Sequence, residues 1–116
     1  MTFLLVHGAW CASWAWARLA PELEVLGIAY QAIDLPGHGQ NSGSMWSVTL
    51  ADYADAVIKA AESTNGPVVA AGHSMGGIVI SEAASKAPAA FDALTCLNST
   101  YVTGAGQLML DLLTKL

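Results

Sequence analysis

Four short, mostly apolar runs divide the chain at regular intervals. They cover residues 2–6, 28–33, 68–71 and 93–97, and a turn or a polar segment follows each of them. Apolar runs of this length without strict polar alternation are typical of strands that are buried on both faces. The segments between the runs carry apolar residues at helical spacing. The pattern predicts an α/β fold, a short parallel sheet of about four strands flanked by helices and joined by right-handed crossovers.

Start and stop signals place the helices. Ser13 is the predicted N-cap of the first helix, Pro21 marks a kink or a break near its first turns, and Gly27 ends it. The second helix begins at Thr49, which has an acidic residue three positions later, as in a capping box. The predicted helices cover residues 13–26, 49–64, 75–86 and 108–116.

A serine lies where the third strand meets the third helix. The segment from Gly72 to Gly76 has the sequence G-x-S-x-G, with Ser74 at its centre. On a tight turn between a strand and a helix, a serine projects its oxygen into solvent, and flanking glycines allow neighbouring backbone to approach. The start of the helix supplies free N–H groups and the positive end of its dipole, and both favour an oxyanion. Ser74 is therefore the predicted nucleophile, with a structural turn as the alternative.

Composition restricts the partners of the chain. Of the 116 residues, 54% are hydrophobic and 11% charged, where a charged share of about 25% is usual. Few side chains are left to cover a free surface, so we expect a homodimer or a larger homo-oligomer. The net charge of −5 argues against nucleic acid and anionic membranes as partners.

No apolar run approaches the roughly 18 residues of a membrane span, and the N-terminus lacks the charged region of a signal peptide, so a cytoplasmic location is expected. No metal or cofactor motif is present, and Cys11 and Cys96 are interpreted as buried, unpaired side chains.

Other polar and aromatic residues follow the strands and converge on the same rim of the predicted sheet. His7 is expected to shape the adjacent loop through hydrogen bonds, close to a substrate. His38 is the best substitute base within the chain, and Asp34 a possible orienting acid; a structural role in their loop is the alternative for both. Of the tryptophans in this region, Trp10 alone is expected close enough to the rim to contact an acyl group, and packing of helix and loop is the alternative.

Three motifs in order resemble the α/β-hydrolase superfamily, in particular the branch of plant methylesterases, hydroxynitrile lyases and their bacterial relatives. They are Val6-His7-Gly8-Ala9-Trp10 with Trp14 and Trp16, Asp34-Leu35-Pro36-Gly37-His38-Gly39, and Gly72-His73-Ser74-Met75-Gly76-Gly77. The resemblance implies that Ser74 is the nucleophile and that the backbone amides of Ala9 and Met75 form the oxyanion hole. It also implies that residues 1–98 form a partial hydrolase core and that residues 99–116 begin a cap.

The catalytic set implied by the resemblance is incomplete. Hydrolases of this kind carry the acid and the histidine of the triad after the serine, yet the 42 residues after Ser74 contain no histidine. The expected function is hydrolysis of a small carboxylic ester, with a base from a missing half, from a second chain or from His38.

Lactonase and hydroxynitrile lyase reactions are variants on the same scaffold. The alternative is an inactive half-domain that self-associates through its open sheet edge. A nucleotide-binding domain ranks last, because no G-x-G-x-x-G or Walker lysine is present.

Overall fold

The predicted parallel sheet is confirmed. A computed structural model of the chain describes residues 1–41, 43–44 and 46–97. The sheet has four strands in the order β2-β1-β3-β4, and every neighbouring pair is parallel. The strands are β1 (Thr2–Val6), β2 (Ala29–Ile33), β3 (Val68–His73) and β4 (Ala93–Leu97).

The register of the sheet brings the carboxyl ends of the strands together. Val6 at the end of β1 pairs with Ile33 on one side and with Gly72 on the other, and Gly72 pairs with Cys96 of β4. The residues that follow β1, β2 and β3 therefore emerge at one rim. These are the segments in which the sequence predicts the functional residues.

Helices cover the two faces of the sheet unequally. The helices α2 (Leu50–Glu62) and α3 (Met75–Lys86) pack together on one face, where the side chains of Leu4, Val6 and Ala70 are fully buried. The other face carries a 3₁₀ helix (Ser13–Trp16) and the short helix α1 (Ala20–Val25), which contact mainly β1 and β2. A second 3₁₀ helix, Pro88–Ala90, precedes β4.

The second predicted helix begins as its capping box indicates. The N–H of Asp52 donates to the hydroxyl of Thr49, and the carboxylate of Asp52 accepts from the N–H of Thr49. These reciprocal bonds satisfy backbone donors that the first helical turn leaves free. The hydrogen bonds to Thr49 also lower the pKa of Asp52, because they stabilise its charged form.

The first predicted helix is divided, which is the break that Pro21 was predicted to mark as an alternative to a kink. Residues 13–26 form the 3₁₀ helix and α1, and Pro21 lies in the first turn of α1, where its missing N–H removes no helical bond. The predicted N-cap is wrong: Ser13 is the first residue of the 3₁₀ helix, its N-cap is Ala12, and the N–H of Ser13 donates to Asp34 Oδ1 at 2.7 Å. The predicted helix over 108–116 and the predicted cap over 99–116 lie outside the described residues.

Candidate active site

Ser74 occupies a sharp turn between β3 and α3. Its backbone has φ 54° and ψ −120°, a region that favours glycine, and its side chain is exposed. A non-glycine residue in such a conformation costs about 1–3 kcal/mol and persists only where its surroundings hold it. Here the N–H of Ser74 donates to the carbonyl of Leu97 at 2.9 Å, and its carbonyl accepts from Gly77 at 3.0 Å. The turn projects the serine away from the sheet at the rim.

Close backbone contacts explain the glycines around the serine. A Cβ on Gly72 would collide with the backbone of Gly76 and would lie 2.5 Å from the amide nitrogen of Gly77. A Cβ on Gly76 would collide with the carbonyl of Val6 and would lie 2.6 Å from the carbonyl oxygen of His7. Helix α3 therefore starts directly against β1 and β3, and only glycine fits at both contacts.

The turn after β1 lies beside the serine. A Cβ on Gly8 would lie 3.2 Å from Cβ of Ser74 and 3.1 Å from the carbonyl oxygen of His73. The N–H of Cys11 donates to the carbonyl of Gly8 at 3.3 Å and closes a turn with Ala9 and Trp10 at its centre. We name residues 8–11 the rim turn. A turn of this kind does not use its central amides in its own closing bond, so the bond from Cys11 to Gly8 does not occupy the amide of Ala9.

His7 connects the rim turn to the loop after β2. Its side chain is fully buried, and Nε2 accepts from the N–H of Leu35 at 3.0 Å. Because Nε2 must be unprotonated to accept, Nδ1 carries the proton and donates to the carbonyl of Gly8 at 2.7 Å. Burial, opposed in part by the bond to Gly8, lowers the pKa of His7 below its usual 6.5. Both ring nitrogens are engaged, and the ring supports the turn from below.

Asp34 connects three segments through its carboxylate. Oδ1 accepts from the N–H of Ser13 at 2.7 Å, and Oδ2 accepts from the N–H of Gln40 at 3.0 Å. The bonds from Gln40 and Ser13 lower the pKa of Asp34 below its usual 3.8. A bond within its own short turn was the predicted structural role, but the partners lie 21 and 6 residues away. The carboxylate positions the loop after β2 against the 3₁₀ helix.

His38 lies next to His7 in the interior. Its side chain is 6% exposed, its Nδ1 donates to the carbonyl of Pro36 at 3.1 Å, and its ring centroid is 5.0 Å from that of His7. Tyr53 of α2 lies edge-on to the same ring, with centroids 5.8 Å apart. With the proton on Nδ1, Nε2 retains the lone pair that a base requires. Burial restricts the access of a substrate to this nitrogen.

A small cavity lies beside the turn between β3 and α3 that carries Ser74, which we call the elbow. Sequence reasoning missed this cavity. Its volume is about 150 Å³, and Cys11, Ala15, Trp16 and His73 line it. The side chain of Trp16 is buried, and its indole N–H has no hydrogen-bond partner among the described residues. These residues come from the rim turn, the 3₁₀ helix and the end of β3, and no local motif relates the three segments. The close contact of Gly8 with Ser74 could have been predicted from the sequence, because a glycine just after a buried strand signals close backbone approach.

The described residues contain neither a cluster of metal ligands nor a helix that could span a membrane. No group of three or more His, Cys, Asp or Glu side chains in this part of the chain could hold a metal ion. Among the helices that the structure describes, none has the length and apolar character needed to span a membrane.

Comparison with known proteins identifies the family. The sequence profile of the alpha/beta hydrolase family matches residues 3–114. An (E)-2-((N-methylformamido)methylene)succinate hydrolase from Acinetobacter baylyi is 33% identical over 101 residues, 84% of this chain and 37% of the relative. An alpha-hydroxynitrile lyase from Arabidopsis thaliana is 35% identical over 100 residues, 84% of this chain and 39% of that relative. The solved structure of an Arabidopsis methylesterase superimposes with a TM-score of 0.80 at 26% identity, covering 88% of this chain and 44% of that one.

The similarity to these relatives covers only part of their length. The chain spans 37% and 39% of the lengths of the two curated relatives, so it corresponds to a part of each. Within that part, the family profile, the parallel sheet and the glycine-flanked serine agree with one another. The chain belongs to the alpha/beta hydrolase family, in the branch that includes methylesterases and hydroxynitrile lyases.

Proposed function

We propose that this chain carries the nucleophile and the oxyanion site of a serine hydrolase that acts on small carboxylic esters. The observation that supports it best is the backbone of Ser74, held at φ 54° between β3 and α3 with the rim turn against it. Two relatives named as methylesterases support the same class of reaction. The strained, exposed serine is costly for the fold and is what an attack on an external carbonyl requires.

The proposed reaction proceeds through a tetrahedral intermediate. Oγ of Ser74 forms a bond to the acyl carbon as its proton passes to a base, and the carbonyl oxygen becomes an oxyanion. The C–O bond to the alcohol then breaks, the alcohol leaves with that proton, and water hydrolyses the acyl-enzyme. The amides of Ala9 and Met75 stabilise the oxyanion. Met75 is the first residue of α3, so its N–H has no partner within the helix and lies at the positive end of the helix dipole.

The base is a histidine with one of three sources. It comes from a second chain, from a further part of the protein, or from His38 of this chain. His7 cannot accept a proton without losing its bond to Leu35. Nε2 of His38 is unprotonated, but the ring is buried beside His7 and Tyr53, so it acts only if the loop around it opens. Without a base, an oxyanion hole and a bound substrate still leave catalysis about 10³–10⁴-fold over water in a related type of site.

The remaining predictions become part of this proposal. Residues 1–98 form a partial hydrolase core and residues 99–116 the start of a cap over the site. The partner is a neutral small-molecule ester, and the location is cytoplasmic. Lactone opening and cyanohydrin cleavage need the same elbow, and one relative is a hydroxynitrile lyase.

A second candidate is a catalytically inactive half-domain that self-associates. It is favoured by β4, which is the last strand of the described sheet and whose Leu97 is 42% exposed. Self-association and hydrolysis are compatible if a second chain supplies the base.

Hydrolysis of a short-chain nitrophenyl ester by the whole chain tests the proposal. Ser74→Ala is compared with Ser85→Ala, an exposed serine on α3 that lies away from the elbow. We expect activity that Ser85→Ala retains and Ser74→Ala loses. Loss of activity on His38→Gln in addition would assign the base to that residue. Equal rates for all variants, together with no attachment of a fluorophosphonate to Ser74 by mass spectrometry, would reject the hydrolase and leave the self-associating half-domain.

A further inference from the structure

Trp10 combines two features that stability does not explain. Its backbone has φ 61°, in the left-handed region, and its side chain is 77% exposed. Glycine adopts this conformation without cost, whereas other residues are strained in it. An indole that is mostly in water recovers little of that cost through burial.

Trp14 provides an internal comparison. It is 65% exposed and lies four residues later, yet it belongs to the 3₁₀ helix and has no positive φ. Exposure of a tryptophan on this surface therefore does not require backbone strain. A large side chain at a strained position near a functional site suggests a role in binding.

The rim turn sets the position of Trp10. The bond from Cys11 N–H to the carbonyl of Gly8 closes the turn, and Gly8 abuts Ser74 and His73. The adjacent cavity holds only about 150 Å³, whereas pockets that enclose a drug-sized ligand measure about 300–1,000 Å³. A substrate larger than a few atoms must therefore extend over the rim, where the Trp10 side chain is exposed.

We propose that the indole of Trp10 is a substrate-binding surface that selects esters with a planar, apolar acyl or alcohol group, such as a neutral aromatic ring. Aromatic rings gain attraction from offset or edge-to-face contact beyond the area they bury. This inference rests on the proposed function, since it names the substrate class of that site.

Covalent labelling of Ser74 tests the selectivity. Phenylmethanesulfonyl fluoride and methanesulfonyl fluoride differ in the aromatic ring; in both, Oγ of Ser74 attacks sulfur, fluoride leaves and the hydroxyl proton passes to solvent. Mass spectrometry gives the two labelling rates for the whole chain and for Trp10→Ala, Trp10→Phe and Trp14→Ala. We expect the ratio of aromatic to aliphatic rates to fall about tenfold in Trp10→Ala. Trp10→Phe and Trp14→Ala should keep the ratio.

Ground-state binding separates this inference from the hydrolase proposal. The chain has four tryptophans, so a ¹⁵N spectrum has four indole N–H signals, and the signal missing in Trp10→Phe belongs to Trp10. Methyl benzoate, titrated into Ser74→Ala, should shift this signal saturably, whereas methyl cyclohexanecarboxylate should not. A shift without any labelling of Ser74 would reject the hydrolase but support the binding surface.

Three results would overturn the inference. The first is an unchanged labelling ratio in Trp10→Ala, and the second is an equal fall in Trp14→Ala. The third is a Trp10 signal in Ser74→Ala that methyl benzoate shifts no more than methyl cyclohexanecarboxylate does; a lower molecular mass of Trp10→Ala by light scattering would then make Trp10 an interface residue.

Discussion

His7 holds its position only as a neutral ring of one tautomer. Nε2 accepts from Leu35, 28 residues away in sequence, and Nδ1 donates to Gly8 at the start of the rim turn. A protonated ring would be a donor at both nitrogens, so Nε2–H would face the N–H of Leu35. The residue therefore links the charge state of one side chain to the loop that carries Ala9.

Stability should fall as the pH is lowered from 7 to 5. Burial lowers the pKa of His7 below 6.5 in the folded state, so the unfolded chain takes up a proton below pH 6.5 that the folded chain does not. Stability is then present above pH 6.5 and declines below it, by at most about 1.4 kcal/mol per pH unit for one proton. Urea unfolding at several pH values measures this slope.

A glutamine at position 7 removes the titration. His7→Gln should be less stable than the natural chain at pH 7 but should show a smaller slope between pH 7 and 5. His73→Gln is the matched control, since it makes the same substitution at another histidine. An unchanged slope in His7→Gln would contradict the assignment to His7. Asp34, whose pKa lies below 3.8, contributes stability that is lost only at lower pH and does not affect this window.

Sequence and structure agree on single residues where the signal is local. Ser74 was predictable because five consecutive residues and their flanking elements define its turn, and Thr49 because its cap spans three residues. The bonds of His7 to Leu35 and of Asp34 to Ser13 join distant segments, so no short motif predicts them. The positive φ of Trp10 was not predictable either, because local preference would place glycine there.

The start of α3 is the element on which the site depends. It packs against β1 and β3 so closely that backbone atoms of Val6 and His7 occupy the space where a Cβ of Gly76 would lie. The intrinsic preference of a helix for alanine over glycine is reversed at this position.

Gly76→Ala should be strongly destabilising. The added methyl group meets backbone atoms, which cannot move without displacing β1, so we expect a loss of about 3 kcal/mol or more in the free energy of unfolding. Gly66→Ala is the control: nothing lies within 4 Å of its added Cβ, and its φ of 83° should cost about 1–2 kcal/mol. Denaturant unfolding gives both values. A loss for Gly76→Ala no larger than that for Gly66→Ala would show that α3 can shift away from the sheet.

The apolar pattern predicts the element boundaries except in residues 13–26, where it runs through both the first 3₁₀ helix and α1. The spacing of Trp14, Leu19 and Leu23 suits a continuous helix, but Trp16 and Leu23 of two separate segments pack against Leu5 in the same cluster. Tertiary contact with β1 and β2 decides the break, and the apolar pattern alone does not contain it.

The two faces of the sheet differ most at β3 and β4. On the face opposite α2 and α3, the register pairs Val69 with Ala93, Ala71 with Thr95 and His73 with Leu97. Within the described part of the chain, the 3₁₀ helix and α1 make their main contacts with β1 and β2, and neither contacts β4 substantially. The sheet order also leaves β4 as an outer strand of the described sheet, without a charged residue in its sequence. Strands of this kind tend to pair with another chain.

We therefore expect the chain to self-associate through the β4 side of the sheet. Light scattering should give a mass that rises with concentration to at least twice that of one chain. Leu97→Lys places a charge beside the edge and should lower this mass toward the monomer, because a buried, unpaired ammonium is costly. Val25→Lys makes the same change in charge on α1, where the side chain is 84% exposed, and should leave the mass unchanged. If Leu97→Lys stays folded by circular dichroism and keeps its assembly, association uses another surface. If the hydrolysis rate per natural chain falls on dilution together with the mass, the assembly supplies a part of the site, and a second chain becomes the source of the base. Leu97→Lys alone does not test this, because the carbonyl of Leu97 accepts from the N–H of Ser74.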